Sequence, residues 1–348
     1  MKETCQVKNK TFGGLRTIGG IPLDSPLILA PLAGVTIPPL RLFFKKIGAA
    51  AVHTEMVSCS GLIRENEKTS RMLSICPGEQ PTILQLFAGD VETLVRGAEK
   101  ALHNAPDRFA ALGINMACPM PKVLKKGAGS RLLEFPDKAV SMVEELKKMG
   151  LPVWVKIRIC PEFLPYSTSY FCEELLRAGA DNICLHGRTP AQRYSGTANR
   201  EKIAEIAHSF PGYISASGDV FSVEDVEKYL EAGCVTVFIA RGALKDPFIF
   251  PQTLAALGFS VDNRLLCPSI DLKISMMVEL GDHIAEETSP RLAEILVKRL
   301  LSGMFKGTPG IAEFRRESAG IHGWKEMKQL MGSCGHYLER REVMCRPM

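Results

Sequence analysis

Along the first 250 residues, short apolar runs alternate with stretches whose apolar positions recur at helical spacing. The runs 27–30, 51–55, 82–86, 112–115, 153–157, 182–186, 213–216 and 236–240 have the near-continuous apolar character of strands covered on both faces. Between them, 37–47, 91–102, 137–149, 167–178, 200–208 and 222–231 read as amphipathic helices. Glycine or proline punctuates several junctions, as at Gly48, Gly150, Pro152, Gly179 and Gly233. Eight such β–α alternations predict an α/β fold, a (β/α)8 TIM barrel. Ahead of the first strand, 15–23 with Gly19-Gly20 at its centre predicts a hairpin capping the barrel floor. After Phe250 the strand pattern stops. Helices are predicted from Asp271 to 287, from Ser289-Pro290 to 304, from Thr308-Pro309 onward and over 324–331. The expected organisation is a catalytic barrel over 1–255 and a C-terminal all-helical domain over 256–348.

Composition narrows the class. With 46% hydrophobic and 23% charged residues, the 348-residue chain has the make-up of an ordinary globular protein. No apolar stretch approaches the roughly 18 residues of a membrane span, and the start lacks an apolar leader core, so a cytoplasmic protein is expected. The 11 cysteines are odd in number and form no Cys-x-x-Cys pair, which argues for reduced thiols, no disulfide framework and no metal site. The net charge of +5 is unevenly placed. From Arg291 onward there are eleven Lys/Arg against six acids, while 1–290 balances to zero. Such a tail suits either a polyanion contact or a solvated helical surface.

Function in such barrels gathers at the C-terminal ends of the strands. There the sequence offers Pro31-Leu32-Ala33 after strand one, Gln85 on strand three, and Asn115 leading to Cys118 after strand four. Lys156 and Arg158 sit on strand five and His186-Gly187-Arg188 at the end of strand six. Ser217-Gly218-Asp219 and Ala240-Arg241-Gly242 follow strands seven and eight. Cys118, on a proline-stiffened loop, is either an aimed proton donor or a small apolar filler. Lys156 in a barrel mouth needs an anion, either a ligand or a carboxylate such as Glu55. His186 is either a ligand or a satisfied core histidine. The glycines and Arg241 of the last two loops suit a phosphate.

These residues resemble the dihydrouridine synthase family. The resemblance runs from Ala30 to about Phe250 through Ala30–Thr36 in numbers 30–36, Thr54-Glu55-Met56-Val57-Ser58, Gln85-Leu86-Phe87, Asn115-Met116-Ala117-Cys118-Pro119, Lys125-Lys126-Gly127-Ala128-Gly129-Ser130, Val155-Lys156-Ile157-Arg158, His186-Gly187-Arg188-Thr189 and Arg241-Gly242-Ala243. It implies an FMN enzyme, with NADPH as reductant, that reduces the C5–C6 double bond of specific uridines in tRNA. Hydride would reach C6 from reduced flavin and a proton would reach C5 from Cys118. It further implies cofactor contacts from Pro31, Leu32, Ala33, Gln85, Lys156, His186, Ser217, Gly218, Asp219, Ala240, Arg241 and Gly242. Asn115, Arg158 and Arg188 would meet the substrate uridine, and Arg315 and Arg316 its RNA. The expected state is a monomer with RNA as partner. The family's patterns differ here at Ala117, Leu32, Ser217 and around Lys298-Arg299 and Phe305. The same reaction on ribosomal RNA is an alternative, as is a flavin reductase of a small enone or pyrimidine.

Overall fold

In the computed structural model, residues 16–305 and 311–342 are described. The expected helix start at Thr308-Pro309 lies outside them. Eight parallel strands close a barrel: β1 (Leu27–Leu29), β2 (Ala51–His53), β3 (Thr82–Phe87), β4 (Ala111–Met116), β5 (Val153–Arg158), β6 (Asn182–His186), β7 (Ile214–Ser217) and β8 (Val237–Ile239). Each pairs with its chain neighbour, and β8 returns to β1 with Val237 opposite Leu27. The strands are almost wholly buried, which is why they read as unbroken apolar runs.

Helices Pro38–Lys46, Val91–Asn104, Pro136–Lys147, Thr168–Arg177, Arg200–Ser209 and Val223–Glu231 fill the positions predicted for them. Asp90, Ser167, Asn199 and Ser222 cap four of these by accepting a hydrogen bond from a first-turn amide. Strand one and strand eight are shorter than their apolar runs, and the expected second strand ends before Glu55, whose carboxylate accepts a hydrogen bond from the Gly34 N–H. The short strand Val57–Ser58 beside β3 was not legible in the sequence, being too brief to show a period.

The hairpin Arg16–Ile18 with Ile21–Leu23 closes the barrel floor. Its Gly19 carbonyl accepts a hydrogen bond from Trp154 Nε1 at 2.8 Å. Ile18, Ile21 and Leu23 bury against Trp154 and Phe238 in one apolar cluster.

Beyond the barrel lie Ile270–Glu287, Pro290–Met304, Ile311–Ala319 and Trp324–Glu342, the last running past its expected end at 331. Buried side chains continue without a break from Leu244 and Phe250 of the barrel to Leu300, Phe305 and Met327 of the helical part. Gly303 lies so close to the Lys245 carbonyl that a Cβ there would collide with it. The two parts therefore share one core. Among the described residues no helix is long and apolar enough to cross a membrane.

Candidate active site

A cleft of about 940 Å³, open to solvent, sits at the C-terminal ends of the strands. Ala30, Leu32 and Phe238 give it apolar walls; Lys156, Arg158 and Arg241 give it charge. Of the residues expected at a site, all those from Pro31 to Gly242 line this cleft except Arg188.

Cys118 is held by its backbone from both sides. The Asn115 side chain, leaving the end of β4, accepts hydrogen bonds through Oδ1 from the Cys118 N–H at 2.9 Å and the Ala117 N–H at 3.2 Å. This local loop needs a short amide at position 115. On the other side, the Ser130 N–H donates to the Cys118 carbonyl at 3.0 Å. Gly129 adopts φ +64°, and a Cβ there would come within 2.5 Å of that carbonyl. The Lys125–Ser130 stretch in numbers 125–130 thus buttresses the cysteine, a role its sequence did not disclose. Cys118 is 9% exposed and borders the cleft. Burial pushes its thiol above the ordinary range, partly offset by the Met120 backbone and the Arg158 charge. The thiol is therefore protonated at neutral pH.

Asn115 spends Oδ1 on the loop, and its Nδ2 donates to Gln85 Oε1 at 3.3 Å and lies 2.8 Å from Met56 Sδ. The Gln85 N–H in turn donates to Thr54 Oγ1 at 3.0 Å. Arg158 donates through Nε to the Ala117 carbonyl at 2.8 Å and through Nη1 to the carbonyls of Thr189 and Arg193 at 3.1 and 2.9 Å. It ties the loops after β4 and β6 together, and its Nη2 makes no hydrogen bond to the described residues.

Lys156 has no carboxylate partner among the described residues; its one hydrogen bond runs to Ser217 Oγ at 3.4 Å. Glu55, the carboxylate considered for it, is turned to Gly34 instead. Burial lowers the Lys156 pKa, the neighbouring Cys184 counteracts this, and Arg158 adds to it. His186 is pushed well below its usual range by burial and then by the charges of Lys156, Arg158, Arg188 and Arg241, so its imidazole is neutral.

Arg188, expected on the substrate, is instead 2% exposed and is not among the cleft-lining residues. It donates to Asp219 at 2.6 and 2.9 Å and to the carbonyls of Ser195 and Gly196 at 3.0 and 2.7 Å. Asp219, which lines the cleft, also accepts from Arg241 Nη2 at 2.9 Å and from the Ala198 N–H at 2.8 Å. Burial opposes ionisation of Asp219, but the bonds from Arg188 and Ala198 and the charges of Arg188 and Arg241 hold its carboxyl below the ordinary range. Its carboxylate is therefore spent on protein partners. Asp219 itself has φ +48°, and Gly218 before it has φ +116°, so the turn after β7 is a constrained one. A Cβ at Gly242 would collide with the Val220 carbonyl, so the two last loops meet at a glycine. Arg315 and Arg316 lie on helix Ile311–Ala319, both exposed, with Arg315 donating to the Ser302 carbonyl.

A TIM barrel with a basic, apolar-walled cleft at its strand ends defines an enzyme fold with an active-site cleft of the usual placement. The chain belongs to the dihydrouridine synthase family, a class of oxidoreductases: the family model described as "Dihydrouridine synthase (Dus)" matches residues 28–335. It is 31% identical over 317 residues to "Probable tRNA-dihydrouridine synthase 1" of Synechocystis sp., covering 90% of this chain and 87% of that protein. It is 32% identical over 305 residues to tRNA-dihydrouridine synthase B of Pseudomonas aeruginosa, covering 86% and 90%. Among solved structures, morphinone reductase in complex with tetrahydroNAD superposes with a TM-score of 0.52 at 12% identity over 74% of this chain and 94% of that one. The old yellow enzyme from Trypanosoma cruzi gives 0.50 at 10% identity, over 72% and 94%. These two share the barrel fold.

Proposed function

We propose that this protein reduces the C5–C6 double bond of specific uridines in tRNA to 5,6-dihydrouridine, with FMN as cofactor and NADPH as reductant. The observation that carries the reading is the cleft itself: a protonated cysteine on a braced loop stands in one cleft with a lysine that has no carboxylate partner among the described residues. Residues 1–255 would be the catalytic part and residues 256–348 the RNA-binding part.

The residues suit a flat, anionic cofactor. Lys156 is a half-buried cation that finds no counter-charge among the described residues, and a desolvated charge without one is costly. Reduced FMN supplies hydride to C6 of uracil when bound. Ala30, Pro31, Leu32, Ala33 and Phe238 offer the apolar surface for its ring, with Gln85 and neutral His186 as hydrogen-bonding groups. Ser217, Gly218, Ala240, Arg241 and Gly242, which line the same cleft, would hold its phosphate. Asp219 accepts a hydrogen bond from Arg241 at 2.9 Å and so fixes it at the cleft.

The protein's own step is proton delivery. Cys118 Sγ would give its proton to C5 as C6 gains hydride, so the double bond takes up one hydride and one proton, two electrons and two protons in all, and the thiol is left as thiolate. A raised thiol pKa keeps that proton available at pH 7. Arg158 Nη2 is the group left to meet the uracil edge, and Asn115 Nδ2 would join it by giving up its 3.3 Å bond to Gln85. A base within folded RNA reaches the cleft only by leaving its stack.

An anaerobic single turnover tests this. Protein loaded with FMN is reduced with NADPH and then mixed with unmodified tRNA. Wild type should reoxidise the flavin as dihydrouridine forms, while Cys118→Ala keeps bound flavin reduced. Fast reoxidation in that variant would remove the acid role; reoxidation by a free enone but not by tRNA would replace the RNA reading with small-molecule reduction.

A further inference from the structure

Two large apolar side chains at the cleft mouth take no part in the chemistry above. Met120, in the loop after β4, is 50% exposed, and Phe221, in the loop after β7, is 37% exposed. Both border the cleft. Each comes with positive charge. Lys245 Nζ lies 4.8 Å from the Phe221 ring centroid and the Arg241 guanidinium 5.5 Å from it. Lys122 and Lys125, both exposed, follow Met120 in the chain.

We infer that Phe221 and Met120 are stacking platforms for the nucleotides on either side of the uridine drawn into the cleft. The inference rests on the RNA reading above. Extruding a base breaks its stacking on both neighbours, and those neighbours are left with open faces. An aromatic side chain accepts any base on its face, and a thioether is a soft, adaptable surface beside it. Lysines next to each platform meet the backbone phosphates that come with those nucleotides.

The placement selects the ligand. The platforms stand on loops three strands apart, on different parts of the rim. A polynucleotide enters and leaves the cleft, so it has a neighbour on each side of the target. A dinucleotide reductant with its reacting ring in the cleft has a single arm and would engage one platform.

The test uses the FMN-loaded full chain and unmodified tRNA transcripts carrying 2-aminopurine on one side or the other of the mapped target uridine. In wild type, stacking should quench the fluorescence of both probes. Phe221→Ala should relieve the quenching on one side and Met120→Ser on the other, each with roughly tenfold weaker tRNA binding. Reduction of bound FMN by NADPH without RNA should stay unchanged in both variants. Both side chains are exposed, so neither substitution opens the core. Equal quenching in variants and wild type overturns the inference. So does slower NADPH reduction with unaltered tRNA affinity, which would assign Phe221 to the adenine of the reductant. Affinity for tRNA is read without turnover. A wild type that binds tRNA through these residues but reduces no uridine would therefore fail the proposed reaction and spare the platforms.

Discussion

In the cleft, Lys156 faces a hydroxyl and no carboxylate, while in the helical tail Arg291 and Lys298 both pair with Glu294 and Lys328 pairs with Asp282. Of the exposed tail cations, Arg299, Arg315, Arg316 and Lys325 form no ion pair among the described residues, and Arg315 donates only to the Ser302 carbonyl. The chain places its charge excess in the tail, yet the charge that most demands a ligand is in the electrically balanced part. A solvated cation costs little to leave alone, and its surface pairs contribute about 0–1 kcal/mol. A buried one is expensive until an anion arrives. Burial, more than count, marks the site.

The largest expected effect lies in the cleft. Cys118→Ala should lower dihydrouridine formation by roughly 10²–10⁴-fold, the usual loss when a general acid is removed, with FMN still bound. Single-turnover flavin reoxidation reads it. Next, Arg188→Ala leaves the Asp219 carboxylate without its main partner, and should cost about 3 kcal/mol in urea unfolding. A loss below about 1 kcal/mol would mean that Arg241 alone satisfies Asp219.

Lys156→Met removes the unmatched cation. FMN affinity should fall roughly tenfold or more and the flavin midpoint potential should drop, since the anionic reduced form loses its counter-charge. Spectroelectrochemistry would show no change if Lys156 were merely structural.

The barrel interior supplies a pH signature that the solvated tail cations do not. Burial holds His53 down to about 3, against an ordinary 6.5, with the Leu29 carbonyl partly opposing this and Lys156 adding to it. Below pH 6.5 the unfolded chain takes up a proton that the folded one refuses. Stability is thus full above that pH and falls by about 1.4 kcal/mol per pH unit toward 3. His53→Phe should flatten that acid limb in urea midpoints. The smallest effects belong to the tail. Arg299→Ala and Arg316→Ala should each reduce the salt slope of tRNA binding by about one and weaken binding uniformly across sequences. No change in slope would return the tail to a solvated surface.

The barrel was legible because parallel strands buried on both faces print as apolar runs, and because glycine or proline marks junctions such as Gly48, Gly150, Pro152 and Gly179. The cleft lining was legible because barrel chemistry sits where those runs end. What the sequence hid depends on loops meeting across the chain. Arg188 reads as one more strand-end cation, and only the fold brings Asp219 from 31 positions away to consume it. Asn115 reads as a substrate contact, yet its carbonyl oxygen is turned back on the cysteine loop. Glu55 could have answered Lys156 and instead braces Gly34. Side-chain partners at such distances leave no period in the sequence.

The most direct test of the account is nucleoside mass spectrometry on unmodified tRNA and ribosomal RNA, incubated separately with the protein, FMN and NADPH. The account predicts dihydrouridine in tRNA and none in ribosomal RNA. Dihydrouridine in ribosomal RNA alone, or in neither while NADPH is still consumed, would contradict it.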